Sequence, residues 1–302
     1  MFTGERGKLR PIWAFVFSLL LSALAFFVSG NIAHEAAEGH PFRVEFIFRP
    51  LWVLLVLGVF IWLLTVANHV EEHRIAAQGL PRTNGWLRQF ILGFIFGSVL
   101  TTLAVTPIYL WGHFRSSNLM SLRLLPNLAA VLLALFCGAL AEELVFRGYP
   151  FQQLEQAIGT IRAVVSLSVI YGVIHLLNPG AGTWGITNSI LIGILLSTAY
   201  VRTRALWLPW GIHFGWNTTL GLLLGLPLSG FRNYNLLRYT VAYGPSWMTG
   251  GRYGIEASQT CALFLVFGIL LLWKLPFRKL PQPPHHVDTA PVLHDTVSGI
   301  KS

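Results

Sequence analysis

Glu142 and Glu143 stand side by side near the end of an apolar run that begins at about Leu124, in a chain with only 12 acidic residues. An ionisable side chain at membrane depth costs at least a few kcal/mol, so each of the two needs a reason to be there. Neighbours on a helix point about 100° apart, whereas residues four apart share a face. Glu143 and Arg147 are four apart and can neutralise each other, while Glu142 points elsewhere, into whatever the helices enclose. Glu142 is therefore the candidate for chemistry, and Glu143 with Arg147 the supporting pair.

Of the 10 histidines, only His175 and His213 fall clearly inside apolar runs. Tyr171 and His175 are four apart, with Gly172 between them to allow close helix approach, and His213 and Asn217 are four apart as well. Isolated polar groups in hydrocarbon need partners, and the economical arrangement gathers them in one internal cavity. One carboxylate, two imidazoles and a carboxamide then suit hydrolysis. A glutamate in an apolar cavity is a competent general base, and a histidine beside it can share the proton of an attacking water. The second histidine and Asn217 can donate hydrogen bonds to a developing oxyanion. No serine, threonine or cysteine has comparable support; Ser166 and Ser168 read as hydroxyls bonded to backbone. The rival chemistry is a zinc site with Glu142, His175 and His213 as ligands around a water, against which Asn217 counts, because a carboxamide is a poor zinc ligand. The cofactor thus stays open: none is needed for water activated by glutamate and histidine, and zinc is the alternative. The same groups could also form the proton relay of a transporter, or pack inside a non-catalytic membrane scaffold or immunity protein.

The chain that must position them has 302 residues, 54 % hydrophobic and 11 % charged, against about 25 % charged in a soluble domain. Apolar runs of roughly 20 residues recur along it, each enough for the hydrocarbon layer. We read an all-α fold: a polytopic transmembrane helix bundle of about eight spans enclosing a polar intramembrane cavity. The runs lie at about 12–28, 51–67, 90–111, 124–147, 162–177, 184–201, 206–226 and 261–273. Residues 1–123 form the N-terminal helices, 124–226 the core with the polar residues, 227–279 a long connector and last helix, and 280–302 a polar, proline-rich disordered tail. No internal repeat stands out, which weighs against a transporter of two similar halves. The net charge of +9 comes from short basic clusters between apolar runs, the pattern of topology signals, so the expected partners are the bilayer and a membrane-associated peptide or protein, not nucleic acid. Those clusters put both termini in the cytoplasm, in a membrane expected to be a bacterial inner membrane. Cys137 and Cys261 lie in apolar runs without a CxxC partner and read as buried small hydrophobes. His34-Glu35-Ala36-Ala37-Glu38 resembles a zinc motif only superficially, since Glu38 stands where the second histidine is required; a solvated loop is the expectation. The 227–257 connector is long enough for a lid, or for an ordered interfacial loop held by Trp247 and Tyr253.

Glu142-Glu143-x-x-x-Arg147, Tyr171-x-x-x-His175 and His213-x-x-x-Asn217, in this order and each on its own apolar run, resemble the three-motif signature of the CAAX protease and bacteriocin-processing family of intramembrane proteases. That family includes the type II CAAX prenyl endopeptidases and the lysostaphin-resistance-protein-A-like proteins. The resemblance covers about Leu124 to Leu226, with Tyr171 where phenylalanine is common. It implies an all-helical membrane fold and endopeptidase activity on a membrane-associated substrate, prenylated CAAX-type proteins among them. It also implies Glu142 and His175 activating water, His213 and Asn217 holding the oxyanion, and a secondary role for Glu143 and Arg147; metallo- and glutamate-type mechanisms both remain open. One conflict needs resolving. The run limits place Glu142 and His175 at different depths, so residues 148–158 must extend the fourth helix or re-enter the membrane.

Overall fold

The computed structural model of the chain describes residues 10–37, 53–58, 79–81, 84–119, 125–232 and 234–277. Its helices are α1 (Pro11–Ala37), α2 (Trp86–Trp111), α3 (Leu125–Arg147), α4 (Tyr149–Ile158), α5 (Thr160–Ile174), α6 (Thr183–Thr203), α7 (Trp207–Asn217) and α8 (Gln259–Lys274). Runs of Leu, Val, Ala and Phe become helices here because helices satisfy every backbone polar group internally. Among the described residues, four stretches are long and apolar enough to cross a membrane: Trp86–Trp111, Asn127–Ile158, Thr160–Leu177 and Thr183–Thr203. The sequence led us to expect eight, and the difference has separate causes. The 51–67 run lies mostly outside the described residues. The apolar portions Pro11–Ala25 and Gln259–Lys274 are shorter. The 206–226 run is broken: α7 has 11 residues and passes into a π-helical turn, Thr218–Leu223. The α-helical part alone is short for a crossing, although the helix runs on through the π turn to Leu223, and α7 is buried at nearly every position.

Strands β1 (His113–Asn118) and β2 (Arg238–Tyr243) lie within the stretches assigned to the N-terminal helices and to the long connector, where no strand was expected. They pair antiparallel from His113↔Tyr243 to Asn118↔Arg238. The aromatic and β-branched residues of Tyr239-Thr240-Val241 favour such a pairing, which no local hairpin signal announces. Helix α1 runs on through Ala37, so His34 and Glu35 belong to a helix rather than a loop; Glu38 and His40 lie outside the described residues, as does the expected tail at 280–302.

The depth conflict is resolved by α4. Gly148 breaks α3, and α4 continues the path to a turn at Gly159, from which α5 returns. Glu142 lies 17 residues before that turn and His175 16 after it, so both sit about 24 Å from it along their helices. Asn127–Ile158 counts as one apolar stretch, with Glu142 at its middle.

Helix α7 is held by backbone contact. A Cβ on Gly93 or Gly97 of α2 would overlap the carbonyls of Leu208 and Ile212, and one on Gly211 or Gly215 of α7 would overlap those of Phe90 and Phe94. Two small-xxx-small pairs thus interlock, the packing that serves helices in lipid, where burial of apolar surface gives no drive to associate. Gly97→Leu is expected to force α2 and α7 apart and to lower the apparent melting temperature in detergent by several degrees, whereas Leu at the exposed Val99 position leaves it unchanged. Helices α5 and α6 meet similarly, Gly172 against Ile186 and Ile190 and Gly193 against Ser168. Both cysteines are buried and free.

Candidate active site

The last two turns of α3 carry Glu142, Glu143 and Arg147 toward α5, α6 and α7. Glu143 and Arg147 have no solvent exposure, and their side chains pair at 3.3 Å. Arg147 also donates from Nη2 to the Gly193 carbonyl (3.0 Å) and from Nε to the Ser197 hydroxyl (3.3 Å), both on α6. Its guanidinium lies 5.0 Å from the centre of the Tyr171 ring, within cation–π range. The pair is therefore a staple between α3, α5 and α6.

Glu143 has a second partner that the sequence did not reveal. Its Oε1 accepts a hydrogen bond from His213 Nδ1 at 2.8 Å, since a carboxylate can only accept. The pair fixes the imidazole so that Nε2 faces Glu142 Oε2 across 3.8 Å. Glu142 differs from its neighbour: its side chain is 33 % exposed, and the Tyr171 hydroxyl donates to its Oε2 at 3.0 Å. His175 caps α5, and its Nδ1 donates to the Tyr171 carbonyl at 2.7 Å. A carbonyl cannot donate, so in the neutral ring Nε2 is left as an acceptor.

Glu142, Tyr171, His175, His213 and Asn217 all line one cavity of about 620 Å³. The structure thus brings the three motifs together. Its remaining wall is largely aliphatic, with Leu195 and Leu196 of α6 and Leu19 and Ala23 of α1. The connector closes another side: Leu228, Ser229, Phe231 and Tyr234 line the same cavity. It is tied down by the β1–β2 pairing and by the Asn235 side chain donating to the Gly225 carbonyl at 2.7 Å. Tyr253 is buried and Trp247 half exposed, so of the two expected anchors only Tyr253 is inside.

Among the described residues no group of three His, Cys, Asp or Glu side chains is drawn together tightly enough to hold a metal ion as it stands. Both histidines bond through Nδ1, to the Tyr171 carbonyl and to Glu143, which leaves each Nε2 uncommitted, the arrangement that imidazoles ligating a metal also adopt. Sequence reasoning also passed over Glu256, a buried carboxylate on the same cavity. A signal was available, since it is one of only four acidic residues between 73 and 287.

Comparison with known proteins agrees with this geometry. Residues 124–219 match the family described as Type II CAAX prenyl endopeptidase Rce1-like. No curated protein and no solved structure matches the chain. The apolar helices and the match together identify an integral membrane protein of a protease family. Residues 124–219, which hold all three motifs, are thus similar to the CAAX protease and bacteriocin-processing family.

Proposed function

We propose that this protein is an intramembrane endopeptidase that hydrolyses a peptide bond of a membrane-associated substrate with water activated by Glu142 and His175. The observation that carries the reading is the placement of Glu142. It is held by Tyr171, faces His213 and opens onto a cavity that also contains His175 and Asn217. Glu142 takes the proton of the water, and the acceptor Nε2 of His175 helps to orient that water. His213 as an imidazolium makes the set Arg147, Glu143, His213 and Glu142 sum to zero charge, the state that a low-dielectric interior favours. Its Nε2–H and the Asn217 carboxamide then donate to the oxyanion, a contribution worth about 10²–10³ in rate for one such donor. The proton held by Glu142 passes to the leaving amine, which completes hydrolysis. The family description names prenylated CAAX-type chains as the first substrate class to test, and the aliphatic wall of the cavity is compatible with an apolar chain.

The reading extends to the chain's setting. Arg88, Arg162, Arg202, Arg204 and Lys274 gather at one end, where Arg202 donates to the Leu275 carbonyl and Arg204 pairs with Glu155. We place that end and both termini in the cytoplasm, the protein in a bacterial inner membrane, and the full count of apolar crossings at about eight.

The test is cleavage of membrane-anchored and prenylated peptides by the purified full chain in lipid. Cleavage by the wild type is expected. A strong chelator is expected to leave the rate unchanged, and a loss on chelation that zinc restores would replace the glutamate mechanism with a metal one. Asn217→Ala is expected to lower kcat by about 10²-fold with KM nearly unchanged, as for removal of one oxyanion donor.

A further inference from the structure

Glu256 belongs to none of the three motifs and lies outside the matched stretch. It sits in the 3-10 turn Ile255–Ala257 before α8 and is only 4 % exposed. Its Oε1 accepts from the Trp216 indole N–H at 2.9 Å. Its Oε2 accepts from the Ser229 backbone N–H and, at 3.3 Å, from the Ser229 hydroxyl. The backbone is held too, because the Asn188 amide donates to the carbonyls of Glu256 (2.9 Å) and Ser258 (2.7 Å). One residue therefore joins α6, α7 and the connector. Burial pushes its carboxyl up, and the Ser229 amide and the Trp216 indole pull it back down. An apolar residue could fill such a place without the cost of burying an acid, so the acid is kept for what its two oxygens hold.

What they hold is the cavity wall. Trp216 precedes Asn217 and follows His213 by three residues, and Ser229 lies between Leu228 and Phe231, all of them lining the cavity. We infer that Glu256 is a positioning residue for the hydrolysis: it locks the Trp216–Asn217 turn and the 228–231 wall to each other, and thereby sets the oxyanion donor against Glu142 and His175. The inference rests on the protease reading. It also makes the connector a fixed wall of the site rather than a lid. Glutamine cannot replace the acid, because its NH₂ would face either the Trp216 indole N–H or the Ser229 backbone N–H, neither of which can accept.

The test compares full-length wild type, Glu256→Gln, Trp216→Phe and the double variant, using a peptide that the wild type cleaves. Hydrogen exchange over residues 225–232 is followed in the same preparations. A misplacement of about 1 Å costs roughly 10²-fold in rate, so each single variant is expected to lose about 10- to 100-fold in kcat with KM within about threefold. The double variant should be no worse than the weaker single one, because both changes break the same contact. The Ser229 region should exchange faster in Glu256→Gln. Wild-type kcat in Glu256→Gln, losses that multiply in the double variant, or a kcat loss fully explained by unfolded protein would each overturn the positioning role. If no protein cleaves any peptide, the failure belongs to the protease reading; unchanged exchange at 225–232 in Glu256→Gln would still sink the anchor itself.

Discussion

Glu142→Gln is expected to abolish peptide cleavage, with kcat lowered by at least about 10³-fold, while the protein still inserts and melts like the wild type. Glutamine keeps the shape and can still accept from the Tyr171 hydroxyl through its Oε1, so packing survives. What it cannot do is take a proton. General-base catalysis contributes about 10²–10⁴-fold, and among the described residues no other carboxylate of the cavity wall is free to substitute: Glu143 is buried between Arg147 and His213, and both oxygens of Glu256 are engaged. Single-turnover cleavage in lipid, beside a thermal melt, measures both halves. Cleavage at the wild-type rate would remove Glu142 from the mechanism altogether.

Arg147→Leu is expected to be the most damaging change to the fold. It leaves Glu143 as a buried charge without its cation and strips the Gly193 carbonyl and the Ser197 hydroxyl of their donor. Removing one partner of a buried pair costs about 3–5 kcal/mol, a large share of a domain's stability. The matching double variant, Glu143→Leu with Arg147→Leu, removes both charges, and a buried pair replaced by apolar residues is often neutral for stability. Gly193, Ser197 and His213 still lose partners, so we expect it to recover only part of the lost melting temperature and yet to be inactive, because His213 has lost the carboxylate that orients its ring. Apparent melting temperature and cleavage, measured on both variants, separate the two jobs of Glu143. A double variant as unstable as Arg147→Leu would show that the ion pair itself holds the fold.

Spacing made part of this site legible. Residues four apart share a face, so Glu143–Arg147 was readable as a pair and Glu142 as the odd one out. The cost of polar groups in hydrocarbon pointed His175, His213 and Asn217 to the same cavity. The contact between Glu143 and His213 was not readable, because nothing in either segment states the rotation of one helix about its axis relative to the other. The glycines that set this rotation, at 93 and 97 and at 211 and 215, are visible as small-xxx-small spacings, but their pairing across more than a hundred residues is not. The same separation hid the partnership of His113–Asn118 with Arg238–Tyr243. Hydropathy alone could not show that the 206–226 run changes from α- to π-helix at Thr218, because both forms are equally apolar.

The glycine interlock between α2 and α7 also bears on how the protein is made. The chain emerges from the ribosome in order, so α2 to α6 are in the bilayer before α7 exists. Until α7 arrives, Glu142 faces no His213 and Gly93 and Gly97 have no helix against them. A growing chain thus carries Glu142 and His175 before His213 and Asn217, the two groups proposed to hold the oxyanion. On the proposed mechanism, cleavage can begin only after α7 has packed into place, so the glycine interlock also times the assembly of the site.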